Sequence, residues 1–251
     1  MRSTVVCNST LHRQVSVAAG RSIDCFDVLI SNNCSYSGRT LYSHRERNKI
    51  DNFILQEKHM IKLKYGNTNT FFIKGTQGGL LIDTDYAGTL TAFYKAMKTA
   101  GIKVSDIKYV LATHYHPDHM GLVGQLTTQG AKLLLLDLQK PSVHFSDKIF
   151  EQDKLPFSVI NEADAETISC EESRKFLSFM GISGEIVHTP SHSEDSISLI
   201  LDDGSCFVGD LEPLEYLEAY DSNLTLKNDW DRIMSYRPNM VYFAHRPEKK
   251  L

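Results

Sequence analysis

Three imidazoles and one carboxylate fall within six residues in Thr113-His114-Tyr115-His116-Pro117-Asp118-His119. Clustered histidine and aspartate would cost several kcal/mol to bury without a compensating partner, roughly 2–7 for even one unpaired polar group. Neutral imidazole nitrogen and carboxylate oxygen are both good ligands for zinc and its neighbours, so the pattern calls for a metal ion. The run before it, Ile107-Lys108-Tyr109-Val110-Leu111-Ala112-Thr113, is β-branched and aromatic and reads as a buried strand. Pro117 stops that strand from continuing through the cluster. Beyond it, Met120, Leu122, Val123 and Leu126 recur at helical spacing, with Gly130 as a stop. Asp118 and His119 then sit near a helix N-terminus. His114 and His116 lie on the preceding loop and point the same way by their i, i+2 spacing. His12, His44, His59 and His144 are isolated and read as ordinary surface or core histidines.

Three later segments each carry an apolar run onto a histidine or an aspartate. They are Glu185-Ile186-Val187-His188-Thr189-Pro190-Ser191-His192-Ser193, Cys206-Phe207-Val208-Gly209-Asp210 and Met240-Val241-Tyr242-Phe243-Ala244-His245. Together with His114-x-His116-x-Asp118-His119, this pattern resembles the metallo-β-lactamase superfamily across about residues 60 to 251. The resemblance implies a mixed α/β (α+β) fold, the four-layer αββα sandwich of metal-dependent hydrolases. It implies one metal on His114, His116 and His192, a second on Asp118, His119 and His245, and Asp210 as a bridge between them. His188 is a rival to His192; because it ends a strand before the Thr-Pro turn, it is assigned to support behind the ligands or to the core. Ser191 stands where the family has glycine. The implied cofactor is two Zn2+ per chain, with iron or manganese as substitutes, about 3.5–4 Å apart. A metal-bridging hydroxide would be the nucleophile, with Asp118 as both ligand and orienting catalytic residue. Asp83 has two readings, as cap of the following helix or as the family's brace of the metal loop by hydrogen bonding. The glycine usual two positions later is Asp85 here.

The substrate is less legible. True β-lactamases typically have cysteine or serine at the bridging position, whereas this chain has Asp210. Glyoxalase II-like thioesterases share all seven ligands but continue into a helical domain, and this chain ends six residues after His245. Lactonases of the superfamily place a tyrosine three residues past the bridging aspartate; here that position is Pro213, with Tyr115 or Tyr216 as substitutes. Flavodiiron proteins carry glutamate where this chain has His116, and add a flavin domain. The expectation is a dinuclear zinc hydrolase of a small ester, thioester, lactone or amide. The alternatives are a diiron redox or oxygen-binding protein, a phosphodiesterase or β-lactamase, or a binding module that keeps the fold.

A chain of 251 residues with 41% hydrophobic content can build one substantial core. A net charge of −4 argues for a small-molecule substrate over a nucleic-acid partner, and no apolar run approaches the roughly 20 residues of a membrane span. Five cysteines without a CxxC pattern suit a reducing cytoplasm, with Cys206 as a small buried hydrophobe. Nothing in the composition sets the oligomeric state. Residues 1–59 form an N-terminal extension, read as flexible; its first 50 residues hold seven Arg/Lys against three acids. From Met60, strands are expected at 61–65, 70–74, 80–83, 107–113, 132–136, 186–189, 196–201, 206–210 and 240–244. Helices are expected from Asp83 to Lys98, with Leu90, Phe93, Tyr94 and Met97 on one face, from Ser169 to Met180 with Glu172 completing a capping box, and from Leu224 to Tyr236.

Overall fold

The computed structural model describes residues 59–219 and 223–251. The expected N-terminal extension lies outside the described residues but for His59, as do His12 and His44. Residues 60–82 form an antiparallel meander of β1 (Met60–Lys64), β2 (Asn69–Gly75) and β3 (Gly78–Ile82). Three parallel strands extend it: β4 (Ile107–Leu111), β5 (Lys132–Leu136) and β6 (Glu166–Ile168). The second sheet, in order β11-β10-β9-β8-β7, comprises β7 (Gly184–His188), β8 (Ile197–Leu201), β9 (Ser205–Phe207), β10 (Met240–Tyr242) and β11 (Lys249–Lys250).

Strand periodicity places these sheets face to face. Successive side chains point to opposite faces, so Phe71, Ile73, Leu80, Ile82, Leu134 and Leu136 meet Ile186, Leu199, Leu201 and Phe207 in an inter-sheet core. The intervening Phe72, Leu81, Val110, Leu133 and Leu135 turn outward onto α1 (Leu90–Thr99), which contributes Phe93 and Met97. On the other outer face, Val187, Ile200, Cys206 and Val241 pack on Leu226, Trp230 and Ile233 of the last helix, Leu224–Ser235. These are the four layers αββα. Sheets apolar on both faces require helices on both outsides. No helix among the described residues is long and apolar enough to cross a membrane.

Several boundaries depart from expectation. The helix expected to open at Asp83 begins at Leu90, because residues 83–89 are held as a loop under the metal-type cluster. Tyr94, expected on its buried face, is exposed. The helix after the histidine cluster is two short ones, α2 (Pro117–Met120) and α3 (Val123–Thr127). They are parted at Gly121, where a Cβ would lie 2.2 Å from the Ala87 nitrogen, so the backbones touch. Helix α4 (Asp147–Gln152) and strands β6 and β11 were not anticipated, being too short for a periodic signal. Helix α5 (Cys170–Met180) has the expected capping box of Ser169 and Glu172, and ends at Gly181 in the left-handed region. Two helices follow, the unanticipated α6 (Tyr216–Ala219) and, as expected, α7 (Leu224–Ser235).

Candidate metal centre

Each strand that carries a candidate ligand stops just before it. Strand β4 ends at Leu111, and Thr113 is then seized by Asp83: its N–H donates to Oδ1 at 2.6 Å and its hydroxyl to Oδ2 at 2.9 Å. Asp83 is 2% exposed and also faces His119 Nδ1 at 3.1 Å from Oδ2. That contact keeps a proton on Nδ1 and turns Nε2 inward, towards His245 and Asp210. Asp83 is thus the brace, not a helix cap. Its neighbours complete the cradle: Thr84 N–H donates to the His119 carbonyl at 2.9 Å, and Thr68 Oγ1 to the Asp118 carbonyl at 2.7 Å. Asp85, where the family has glycine, accepts from the N–H groups of Thr68 and Tyr86.

The loop bearing His192 is tied to the loop bearing His114 and His116. Asp195, 6% exposed, accepts from Tyr115 N–H at 2.7 Å and from the Ser193 hydroxyl at 2.8 Å. Fully buried Gln139 donates to the carbonyls of Ala112 and Asp195, both at 3.1 Å. From the second sheet, Gly209 (φ 57°) turns the chain so that Asp210 enters; a Cβ there would meet Thr113 Oγ1 at 2.4 Å. Asn69 accepts no substitute easily, since its amide holds the carbonyls of Phe243 and Arg246 on either side of His245.

All seven residues expected as ligands converge. Ligand atoms lie within 4.8 Å of one another in three overlapping groups: His114/His116/His192, His114/His119/Asp210 and Asp118/His119/His245. His192 Nε2 is 3.1 Å from His116 Nδ1, and His245 Nε2 is 3.3 Å from His119 Nε2 and 3.0 Å from Asp118 Oδ2. Asp210 lies between the groups: Oδ2 is 3.8 Å from His192 Nε2, while Oδ1 is 3.4 Å from His119 Nε2 and 3.3 Å from His245 Nε2. His114 Nε2 is buried with no hydrogen-bond partner. A buried, unpartnered imidazole nitrogen among other nitrogen and oxygen donors fits a bound cation.

The electrostatics agree. Burial, with the neighbouring histidines, pushes the His114 ring far below the ordinary imidazole range. Burial also lowers His192, against the pull of Asp210. Burial opposes ionisation of Asp118, but hydrogen bonding from His245 and the charge of His119 hold its pKa at about 2. Burial likewise works against a charged His119, yet Asp83 and Asp210 raise it to about 10. Burial therefore favours neutral His114 and His192, while Asp118 is held anionic beside His119 and His245.

Residues outside the cluster are also placed. His188 Nε2 faces the Glu194 carbonyl at 2.8 Å and belongs to none of the three groups. Tyr115 does not serve the site: its ring is 1% exposed in the outer core and its hydroxyl is buried without a partner. Tyr216 does stand nearby, with Arg246 Nη1 donating to its hydroxyl at 3.3 Å. Asp195, Gln139 and Thr68 were missed, because their partners are distant in sequence. Only the acid three residues past His192 offered a signal.

The sequence pattern of the Metallo-beta-lactamase superfamily matches residues 63–245. The Beta-lactamase-like protein 2 homolog of Drosophila melanogaster is 22% identical over 178 residues, 71% of this chain and 58% of that protein. The Atrochrysone carboxyl ACP thioesterase of Aspergillus fumigatus is 29% identical over 193 residues, 72% of this chain and 39% of that protein. The chain thus spans roughly half the length of these curated relatives. Among solved structures, a metallo-beta-lactamase family protein from Thermus thermophilus superposes with a TM-score of 0.61 at 20% identity, covering 77% of this chain and 75% of that one. That likeness speaks for the fold.

Proposed function

The chain belongs to the metallo-β-lactamase superfamily, and from that premise we propose that it is a metal-dependent hydrolase of a small ester, thioester, lactone or amide. The observation that carries this reading is the buried, unpartnered His114 Nε2 at the crossing of overlapping ligand groups. His114, His116 and His192 would hold one ion. Asp118, His119 and His245 would hold the other, and Asp210 would be shared. An all nitrogen and oxygen donor set suits zinc, and iron and manganese after it. Such ions, when bound, acidify water to a pKa of about 7 and polarise a carbonyl oxygen.

The chain's own residues supply the rest. Asp118 is about one-third exposed and ionised at neutral pH, so its carboxylate can accept a hydrogen bond from an incoming water and orient it. Asp83 holds His119 through Nδ1, so that Nε2 is the nitrogen presented to a cation. The pinned loops of Asp195 and Gln139 keep the imidazoles from reorienting as substrate enters. The Aspergillus fumigatus thioesterase, at 29% identity, supports an acyl substrate, and Asp210 at the shared position speaks against a β-lactam. The net charge of −4 supports a small-molecule substrate over a nucleic acid.

The test is metal analysis of the purified protein, then a screen against thioesters, lactones, β-lactams and phosphodiesters before and after chelation. About two ions per chain and chelator-sensitive acyl hydrolysis are expected. Iron with a visible charge-transfer band and no hydrolysis would replace this reading with a redox protein. Turnover confined to phosphodiesters would replace the substrate class.

A further inference from the structure

We infer that Phe145 is the acyl-recognition residue of this site, and that the preferred substrate carries an apolar acyl arm laid against it; this deepens the hydrolase reading and rests on it. Phe145 is 60% exposed, yet its ring lies 5.8 Å from the His116 ring, tilted at 42°. Phe179 and Leu224 are as exposed, but Phe145 stands against a candidate ligand, where an apolar substrate arm laid on its ring would gain the stabilisation of burial.

The exposure is imposed by the neighbours on both sides. Ser146 is fully buried, and its hydroxyl donates to the carbonyl of Tyr115, the residue between His114 and His116, at 2.8 Å. His144 faces Asp147 at 2.8 Å through Nδ1 and Glu162 at 3.3 Å through Nε2. Val143 is buried outright, and the Phe145 N–H donates to the Ser142 carbonyl at 2.9 Å. With both flanks anchored, the ring is held out beside His116 rather than folding into the core. The Ser146 bond also references it to the backbone that carries two of the candidate ligands.

The flank beside His245 has the opposite character. There the Arg246 guanidinium lies 5.3 Å from the Tyr216 ring centroid and 3.6 Å from the Glu212 carboxylate. An ester or thioester with an apolar acyl arm and a polar leaving group matches this polarity in one direction only: acyl carbon chain on Phe145, leaving group towards Arg246. Hydrolysis adds water across the acyl bond, giving the carboxylic acid on the Phe145 side and the alcohol or thiol on the other.

The experiment compares wild type with Phe145→Ala and Phe145→Leu, all zinc-loaded, on acetyl, butanoyl and octanoyl thioesters. In parallel, octanoate and acetate binding is measured by calorimetry. For Phe145→Ala, the octanoyl-to-acetyl ratio of kcat/KM should fall roughly tenfold, mainly through KM, and octanoate should bind about tenfold more weakly relative to acetate. Phe145→Leu should recover part of both. Ratios for both readouts that match wild type in a protein with an unchanged melting profile would overturn the inference while leaving the hydrolase reading intact. Weakened octanoate binding in a protein that hydrolyses none of the substrates would overturn the hydrolase reading but not the apolar recognition by Phe145.

Discussion

Replacing Asp83 tests how much of the centre is built from outside the ligand set. Its carboxylate receives the Thr113 N–H, the Thr113 hydroxyl and His119 Nδ1, all buried. Asp83→Asn is the cleaner variant, because asparagine tolerates the backbone φ of 55° that Asp83 adopts. The amide oxygen can still accept from Thr113, but the NH2 group then faces His119 Nδ1–H. Either that contact is lost or the ring moves its proton to Nε2, the nitrogen that faces Asp210. Losing a hydrogen bond to a charged acceptor costs about 1.5–3 kcal/mol. Losing the support behind a metal-ligating histidine typically weakens metal binding about 10–100-fold. Asp83→Ala strands all three donors, at about 1–3 kcal/mol each, and adds strain at positive φ. Set against a typical total stability of about 5–15 kcal/mol, that variant should be partly unfolded at 25 °C. Urea denaturation and zinc competition against a chromophoric chelator measure the two effects separately. Asp83→Asn protein that binds zinc within about threefold of wild type would refute the bracing role.

Asp210→Ala and His116→Ala should each reduce hydrolysis to the uncatalysed rate while circular dichroism shows the fold retained; undiminished turnover in either would remove the proposed mechanism. Asp195→Ala leaves Tyr115 N–H without its acceptor and unties the His192 loop, so it should weaken the tighter-coupled step of a two-step zinc titration about tenfold. The pH response of the chelated protein has a definite sign. His119 is raised from 6.5 to about 10 by Asp83 and Asp210 in spite of burial. The stability it contributes is complete below about pH 6.5 and is lost as pH rises through about 10. The melting temperature of metal-free protein should therefore fall between pH 7 and 10, and a flat profile would contradict the ion pair.

Local patterns in the sequence were faithful where the structure is periodic. In β2, Phe71 and Ile73 go to the inter-sheet core and Phe72 to the outer one, as strand alternation requires. The Ser169–Glu172 capping box starts α5 because both partners lie within one turn. Such local signals failed around residues 83–89, where helix-starting chemistry was read from an aspartate engaged thirty residues away with Thr113. Tyr115 looked available for chemistry because it sits among ligands, yet odd positions between i and i+2 ligands point the other way, into the outer core.

From the amino-acid order alone came the kinds of donor atom and the strand ends that present them, since those depend on residue type and on short-range periodicity. The distances among them, the orientation of the His119 ring on Asp83, the tie through Asp195 and the ring of Phe145 held beside His116 belong to the folded chain. They arise from contacts between residues as distant in sequence as Asp118 and His245, and only the packing of two sheets against each other sets where such segments meet.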